Sequence, residues 1–332
     1  MEIFDITIIG AGPVGLFSAY YAGLRGMKIK LIDTFLELGG QLTALYPEKY
    51  IYDVAGFPKI LARDLAANLI EQAMQYHPTL CLNEHVISVR KVDKGGNSVF
   101  HLTTDRQSDH WTRSLLITAG VGSFAPKKLE LPEAAHYEGK GILYFIHDIH
   151  LLEGKKLLIV GGGDSAIDWA LNLIDRVESM TLIHRRDQFR AHDDNVKKLY
   201  SSRVAVKTFS EIRHIYGGEH IERATIINTK TGVEETLDID FILPNFGFIV
   251  NIGPLKDWGL EMERNDIKVN RTMETNIPGI FAAGDIATYA GKLKLIATGF
   301  GEGVIAVNSA KVSIDPRAKY FPGHSSAKKH PL

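Results

Sequence analysis

The sequence predicts an α/β protein of two three-layer domains, with the second domain inserted into the first. One pattern (strand, glycine-rich turn, helix, strand) occurs twice, at residues 3–33 and at residues 156–186. Strand candidates such as Leu157–Val160 are apolar throughout, which is typical of parallel strands covered on both faces. The length of 332 residues also exceeds that of one ordinary domain.

The first copy of this βαβ pattern predicts a strand at Ile3–Ile9, a turn at Gly10–Gly15, a helix at Val14–Leu24 and a strand at Lys28–Asp33. A further helix is expected at Ala62–Tyr76, because its apolar residues Leu65, Leu69, Ile70 and Ala73 lie on one helical face. Three strand candidates follow: His85–Val92, Val99–Thr104 and Ser114–Thr118.

The second copy predicts a strand at Lys156–Val160, a turn at Gly161–Gly163, a helix at Ser165–Ile174 and a strand at Met180–His184. The pair Gly217-Gly218 predicts a hairpin turn between later strands. Those later strand candidates are Val204–Thr208, Ile212–Tyr216, Glu222–Asn228 and Phe241–Leu243.

The end of the chain returns to the first domain. The run Gly279–Asp285 predicts a strand that enters a glycine turn, and a last helix is expected at about Gly303–Val312. We interpret Thr118–Gly122 and Asn245–Gly247 as the crossings between domains. The expected domains are residues 1–118 with 249–332, and residues 119–248.

The net charge and the apolar pattern give no indication of a nucleic-acid or membrane partner. The formal net charge is only -1, which predicts neither nucleic acid nor an anionic membrane as a partner. No apolar run approaches the roughly 20 residues that span a bilayer, and Phe4–Ile9 does not resemble a signal peptide. The single cysteine, Cys81, is expected to be a buried strand residue and suits a cytoplasmic location.

The first glycine motif is Gly10-Ala11-Gly12-Pro13-Val14-Gly15, between a predicted strand and a predicted helix. Glycine lets the backbone turn tightly and approach a pyrophosphate at the helix N-terminus. Asp33 follows at the end of the second strand, where an acid holds ribose hydroxyls. A purely structural turn is the alternative, but the strand, helix and acid together predict a Rossmann-like dinucleotide site.

The second glycine motif is Gly161-Gly162-Gly163-Asp164-Ser165-Ala166, and it lacks the acid that follows the first. Its second strand ends instead in His184-Arg185-Arg186-Asp187, with Arg190 just beyond. Guanidinium groups bind a 2′-phosphate in bidentate fashion, whereas a carboxylate repels it. A solvated basic turn is the alternative, but the location favours NADPH over NADH. The candidate NADPH residues are Gly161, Gly163, Asp164, Ser165, His184, Arg185, Arg186 and Arg190.

The two motifs, the segment Gly39-Gly40-Gln41-Leu42 and the run Gly279–Asp285 resemble the thioredoxin reductase family over nearly the whole chain. The resemblance implies one resident FAD and one visiting NADPH, with Asp285 at the flavin ribitol and Gln41 on the flavin side. The chain departs from that family just before the second motif. It has Tyr144-Phe145-Ile146-His147-Asp148 where the family has a Cys-x-x-Cys, so thiol–disulfide exchange has no sulfur pair.

Several further segments are similar to the thioredoxin-reductase-like ferredoxin–NADP reductases of bacteria: Leu45–Pro58, Gly163–Ala170, His184–His192, Thr298–Glu302 and the tail His324-Ser325-Ser326. This resemblance implies that Tyr46 stacks on one face of the isoalloxazine and His324 on the other. An ordinary interface or core aromatic is the alternative for Tyr46, and composition alone would place His324 in a disordered tail. The candidate FAD residues are Gly10, Gly12, Pro13, Gly15, Asp33, Gly40, Gln41, Leu42, Tyr46, Val86, Phe124, Gly284, Asp285, His324 and Ser326.

The implied activity is FAD-mediated electron transfer from NADPH to ferredoxin or flavodoxin, with a hydride accepted and single electrons released. No side chain is expected to act as an acid or base, and no metal-ligand spacing predicts a metal. The last helix, taken to begin near Phe300, is expected to direct its N-terminus at the flavin. Two alternatives remain open, a general NADPH-dependent quinone or flavin reductase and a non-catalytic flavin redox sensor. A homodimer is implied by the resemblance alone.

Overall fold

A computed structural model describes residues 2–95 and 97–324, with the side chains of all of them except Asn97, Ser123, Phe124 and Val250. The chain forms two compact units. The first comprises Met1–Phe124 and Val250–Leu332, and the second comprises Ala125–Ile249. The second unit is therefore an insertion within the first, as the fold class predicted.

The first unit begins with the predicted βαβ pattern and continues with short strands, a helix and a meander. Its elements up to the first crossing are β1 (Ile3–Ile9), α1 (Pro13–Leu24), β2 (Ile29–Asp33), α2 (Gln41–Ala44), β3 (Tyr50–Ile51), β4 (Ile60–Leu61), α3 (Ala62–Met74), β5 (Thr79–Leu82), β6 (Val86–Lys94), β7 (Asn97–Thr104), β8 (Asp109–Ile117) and β9 (Ser123–Pro126).

The second unit contains the second βαβ pattern followed by an antiparallel sheet. Its elements are α4 (Ala134–Tyr137), a 3₁₀ turn (Ile149–Leu152), β10 (Lys156–Val160), α5 (Asp164–Leu173), β11 (Ser179–His184), α6 (Asp193–Tyr200), β12 (Ala205–Thr208), β13 (Ser210–Gly217), β14 (Ile221–Asn228), β15 (Glu234–Asp238) and β16 (Phe241–Pro244).

The chain then returns to the first unit. The returning elements are β17 (Phe248–Asn251), a 3₁₀ turn (Gly253–Asp257), β18 (Met262–Glu263), β19 (Asp266–Lys268), β20 (Ile280–Ala282), a 3₁₀ turn (Gly284–Ile286), β21 (Ala287–Thr288) and α7 (Ile296–Ile314). Strands β9 and β17 pair with each other. The predicted crossing segments 118–122 and 245–247 lie just before these two strands.

The first unit has three layers built around a parallel sheet. Strand β1 pairs in parallel with β2 and β8, so that Ile8 lies opposite Leu31 and Leu116. The end of β8 also pairs in parallel with β20, while its beginning pairs with β7 of the meander. Ile6 and Ile8 point to a core shared with α1, α3 and α7, whereas Ile117 belongs to the core on the meander side. Both faces of the sheet are covered, as apolar strands require.

The second unit repeats this design on a smaller scale. Four parallel strands, in the order β12-β11-β10-β16, carry α5 and α6 on one face. The antiparallel sheet β13-β14-β15 covers the other face, and its first two strands form the hairpin predicted at Gly217-Gly218. Neighbours in β10 alternate between the two cores: Leu157 and Ile159 face the helices, and Leu158 and Val160 face the second sheet.

The prediction for the last helix was wrong at its start. Helix α7 begins at Ile296 rather than near Gly303 or Phe300, because the glycines of this segment are packing residues and not helix breakers. A Cβ at Gly299 would lie 2.4 Å from Val14 Cγ2, and one at Gly303 would lie 2.3 Å from Ser18 Oγ. Absent side chains at these positions let α7 lie directly against α1.

Candidate dinucleotide-binding sites

The first candidate site lies at the carboxyl edge of the parallel sheet in the first unit. Ile117 at the end of β8 pairs with Ile9 on one side and Ala282 on the other. The turn after β1 and the turn after β20 therefore flank the same strand end. The carboxyl edge of such a sheet is where ligands bind in open α/β folds.

The turn after β1 depends on glycine for close backbone contacts. Gly10 has a φ of +105°, and a Cβ there would lie 2.4 Å from Thr118 O. A Cβ at Gly15 would lie 1.9 Å from Gly10 O. Only glycine at this position therefore lets the first turn of α1 pack so closely against the end of β1. Gly12 is the N-cap of α1 with no side-chain cap, and Pro13 occupies the first turn.

A second loop closes on this turn. Gly40, with a φ of +60°, precedes α2, and a Cβ on it would lie 2.7 Å from Gly12 Cα. A Cβ at Gly12 would meet nothing nearer than Gly40 Cα at 4.0 Å, so space remains beside the uncapped N-terminus of α1. Gln41 directs its amide towards Gly120, and Leu42 is fully buried. These features fit a pyrophosphate against backbone N–H groups.

Asp33 lies at the end of β2, where the sequence predicted a ribose-binding acid. Its carboxylate accepts hydrogen bonds from Ala11 N and from Phe35 N, the latter at 2.8 Å. Burial raises the pKa of Asp33, and the backbone donors oppose that rise. Thr34 also lowers that pKa through its amide and its hydroxyl, so the carboxylate lies among several hydrogen-bond donors at the end of β2.

The Asp285 carboxylate acts electrostatically on Tyr46 in the folded chain although the two residues are far apart in sequence. Burial raises the pKa of Tyr46 to about 12, and the negative charges of Asp285 and Asp53 contribute to that rise. Burial also raises the pKa of Asp285, which Lys292 and Lys294 oppose. Gly284, in the same turn, has a φ of +79° and packs against Val14. The predicted aromatic and the predicted ribitol-binding acid are thus electrostatically coupled.

The remaining FAD candidates are less constrained. Val86 is buried at the start of β6. The His324 ring is exposed and makes an edge contact with Phe321, and within the described residues it has no ring contact with Tyr46. Phe124 belongs to β9, but its side chain lies outside the described part of the chain, and so does Ser326.

The second candidate site lies at the carboxyl edge of the sheet in the second unit. Gly161 follows β10, and a Cβ on it would lie 2.8 Å from Asn245 O. Gly163 is the N-cap of α5, and a Cβ there would meet nothing nearer than Arg190 O at 3.8 Å. The first turn of α5 contains Asp164 and Ser165. The N-terminus of α5 is therefore shaped like that of α1.

The loop after β11 is tied to this glycine turn. Arg190 N donates to Gly162 O at 2.7 Å, and His192 N donates to Asp164 Oδ1 at 2.9 Å. The His184 ring occupies the space that a Cβ at Gly162 would need, at 2.2 Å. Burial lowers the pKa of His184, which favours the neutral imidazole. These bonds place the arginine-rich loop beside the start of α5.

The three arginines of this loop are available to a ligand. Arg185, Arg186 and Arg190 are exposed. None of them has an ion-pair partner among residues 2–95 and 97–324. Unpaired guanidinium groups beside a helix N-terminus suit a 2′-phosphate.

One cluster outside both sites has the side chains of a metal centre. Ligand atoms of Cys81, Glu84 and His110 all lie within 4.8 Å of one another. Lys30 Nζ lies 3.0 Å from His110 Nδ1, and Glu84 lies 3.0 Å from His110 Nε2. Because an ammonium only donates, Nδ1 accepts and Nε2–H donates to Glu84, so both ring nitrogens are used. Lys30, His110 and Glu84 thus form a hydrogen-bond chain. Cys81, in β5, is half-buried rather than buried as expected.

Sequence reasoning missed two groups at the first site. Thr118 Oγ1 donates to Gly10 O at 2.8 Å and holds the first turn. Glu302 and Lys292 form a buried ion pair next to Gly284. The segment containing Glu302 was part of the observed resemblance, but nothing in its pattern showed which backbone group the carboxylate would meet.

Comparison with known proteins agrees with this geometry. Residues 4–303 match the family model described as pyridine nucleotide-disulphide oxidoreductase. A ferredoxin–NADP reductase of Halalkalibacterium halodurans is 54% identical, and one of Geobacillus thermodenitrificans is 51% identical. The first alignment covers 98% of this chain and 98% of the relative, and the second covers 98% and 97%. The thioredoxin reductase of T. acidophilum is 26% identical with a TM-score of 0.76, over 95% of this chain and 99% of that one.

No helix within the described residues is both long and apolar enough to cross a bilayer. The fold, the two glycine-turn sites and the match over most of the length agree on one assignment. The chain belongs to the pyridine nucleotide-disulphide oxidoreductase family, with ferredoxin–NADP reductases among its relatives.

Proposed function

We propose that this chain is a ferredoxin–NADP reductase that binds FAD in its first unit and NADPH in its second. The observation that carries the proposal is the contrast between two similar helix N-termini. The strand beside one ends in the buried carboxylate of Asp33, and the strand beside the other is followed by exposed arginines. A carboxylate suits the ribose of FAD, and arginines suit the 2′-phosphate of NADPH.

The first unit would hold FAD through groups that the fold fixes in advance. The N-terminus of α1 receives the pyrophosphate, Asp33 accepts from the ribose, and Asp285 accepts from the ribityl hydroxyls. Tyr46 provides an aromatic face near Asp285. Bound there, FAD supplies the exchange between two-electron nucleotide chemistry and one-electron acceptors.

The acceptor follows from the cysteine content and from the relatives. A dithiol relay needs two sulfurs, and the chain contains one cysteine. Electrons must therefore leave the bound cofactor without passing through a disulfide. The relatives named ferredoxin–NADP reductase support ferredoxin as that acceptor, and flavodoxin, another one-electron carrier, is proposed as an alternative acceptor.

The test is NADPH-dependent reduction of cytochrome c by the FAD-loaded protein, with and without added ferredoxin. We expect ferredoxin to increase the rate markedly. Equal rates with and without ferredoxin, together with faster stopped-flow transfer to a quinone, would instead identify a general quinone reductase. Reduced flavin that persists in NADPH with ferredoxin present would identify a redox sensor.

We also propose a homodimer in the cytoplasm. An apolar groove of about 420 Å³ on the first unit, lined in part by Phe17, Val54, Phe57, Leu69 and Phe300, offers a surface for a second copy. Light scattering after size-exclusion chromatography tests this. We expect the mass of two chains for the wild type and of one chain for Phe57→Glu, and a monomeric wild type would contradict the proposal.

A further inference from the structure

A buried ion pair lies beside the turn that contains Asp285. The side chains of Lys292 and Glu302 are only 5% and 3% exposed. Lys292 Nζ lies 2.5 Å from Glu302 Oε1 and 2.6 Å from Oε2. Burying two charges is unfavourable unless further hydrogen bonds satisfy them, so their remaining partners are informative.

Those partners lead to the proposed FAD site. Glu302 Oε2 accepts from Gly284 N at 2.8 Å, and Oε1 accepts from Tyr289 OH at 2.7 Å. Gly284 immediately precedes Asp285, and its φ of +79° is one that other residues rarely adopt. A charged acceptor on this amide therefore fixes the backbone that presents Asp285.

The pair also sets the charge around Asp285. Burial raises the pKa of Asp285, Lys292 and then Lys294 oppose the rise, and Glu302 and Asp266 add to it. The Tyr46 phenol is a further titratable group, and the Asp285 carboxylate raises its pKa. Lys292 is buried and poorly screened, whereas Lys294 is 44% exposed and paired with Asp266 at 2.8 Å.

We infer that Glu302 and Lys292 are positioning residues for FAD. Glu302 fixes the Gly284–Asp285 turn through the Gly284 amide. Lys292 balances the negative charge of Glu302 and favours an ionised Asp285. The inference rests on the proposed function, because it assumes that the turn contacts FAD.

The test measures the dissociation constant of FAD from apoprotein as a function of pH, over the range in which the apoprotein stays folded. Ionised Asp285 accepts hydrogen bonds from ligand hydroxyls, so FAD affinity falls as the pH drops through the pKa of Asp285.

Lys292→Met removes a neighbouring cation, and the pH midpoint of affinity should move up. Glu302→Gln removes a neighbouring anion, and the midpoint should move down. It should also weaken FAD binding at high pH by about tenfold, because a charged acceptor is lost from Gly284 N.

A purely structural pair predicts something different, since loss of either partner would then lower affinity at every pH with no opposite shifts. Lys294→Met is the matched control and should move the midpoint less than Lys292→Met. Shifts of the same sign in the two variants, or wild-type affinity in both, would overturn the inference.

A variant with one unpaired buried charge can fail to fold, so the double variant Lys292→Met/Glu302→Gln is made in parallel. Its two charge effects oppose each other, so its midpoint should stay near that of the wild type while FAD affinity falls. Wild-type affinity in the double variant would reject the role of Glu302. Wild-type apoprotein that never binds FAD would reject the proposed function itself, and these outcomes are therefore distinguishable.

Discussion

Asp33 and the arginines of the second unit occupy equivalent positions in two copies of one pattern, yet their surroundings are opposite. Asp33 is 7% exposed and already accepts two backbone hydrogen bonds. Arg185, Arg186 and Arg190 are exposed. A resident cofactor can be held by groups buried within the fold, whereas a nucleotide that exchanges needs groups reachable from solvent.

The first prediction concerns these arginines. Arg185→Ala and Arg190→Ala should each raise the KM for NADPH by about tenfold or more, because a charge-assisted contact to the 2′-phosphate is lost. The KM for NADH should stay nearly constant in steady-state kinetics. Arg213→Ala, an exposed arginine on β13, is the control. Equal losses for both nucleotides would show that the 2′-phosphate binds elsewhere.

A second prediction concerns Tyr46. Tyr46→Ala should change the flavin absorption spectrum and the turnover, because an aromatic face near Asp285 is removed. The dissociation constant of NADP⁺ should not change, since the proposed nucleotide site is in the other unit. Tyr52, which is 69% exposed and directly follows β3, supplies the control Tyr52→Ala. An unaltered spectrum and turnover in Tyr46→Ala would argue against stacking.

Among the elements, α7 shows how glycine spacing serves packing. Its first two turns contain Gly299, Gly301 and Gly303, of which the first and third face α1 and the second faces open space. The close approach places Glu302 where it can reach Gly284 N. The helix thus contributes to the site through a carboxylate that its packing positions.

The third prediction compares two glycines of α7. Gly299→Ala should lower the unfolding temperature of the apoprotein, with a cost of about 1–3 kcal/mol, because Val14 is β-branched and has little rotamer freedom in a helix. Gly301→Ala should be neutral or stabilising by up to about 1 kcal/mol, since nothing lies within 4 Å of its Cβ position. Differential scanning calorimetry measures both. Equal effects would mean that helix propensity, not packing, dominates here.

At the scale of the whole molecule, the chain retains a family fold without that family's disulfide. The segment 144–148 has no cysteine, and Cys81 lies in the sheet of the first unit. Because the chain contains a single cysteine, this fold forms without an internal disulfide.

The fourth prediction tests electron transfer without sulfur. Cys81→Ser should leave the ferredoxin-dependent rate of cytochrome c reduction unchanged. Thiol alkylation should slow the wild-type protein no more than it slows the variant. The physical reason is that one thiol cannot complete a disulfide cycle. A lower turnover in Cys81→Ser, or a turnover that falls with the fraction of alkylated Cys81, would contradict this prediction.

Much of the architecture could be predicted from sequence because it depends on local patterns. The strands Ile3–Ile9 and Lys156–Val160 have the predicted bounds, and helices α1 and α5 begin within one residue of the prediction. Continuous apolar strands, glycine turns and a strand-end acid or arginine are read over a few neighbouring residues. The two nucleotide motifs could be predicted from such local patterns. The insertion of one unit in the other could be predicted from the order of these patterns along the chain.

The tertiary structure decided how distant segments of the chain are related. The start of α7 was misplaced because glycine in isolation resembles a helix breaker, and only the contact with Val14 explains it. The bond from Gly284 N to Glu302 arises because the packing of α7 against α1 brings Glu302 to the turn after β20. The turns after β1 and β20 meet because parallel strands bring separate turns to one edge of the sheet. Sequence by itself determined the fold class and the chemical character of each motif. The folded chain decided which carboxylate meets which backbone amide, because that depends on the packing of elements far apart in sequence.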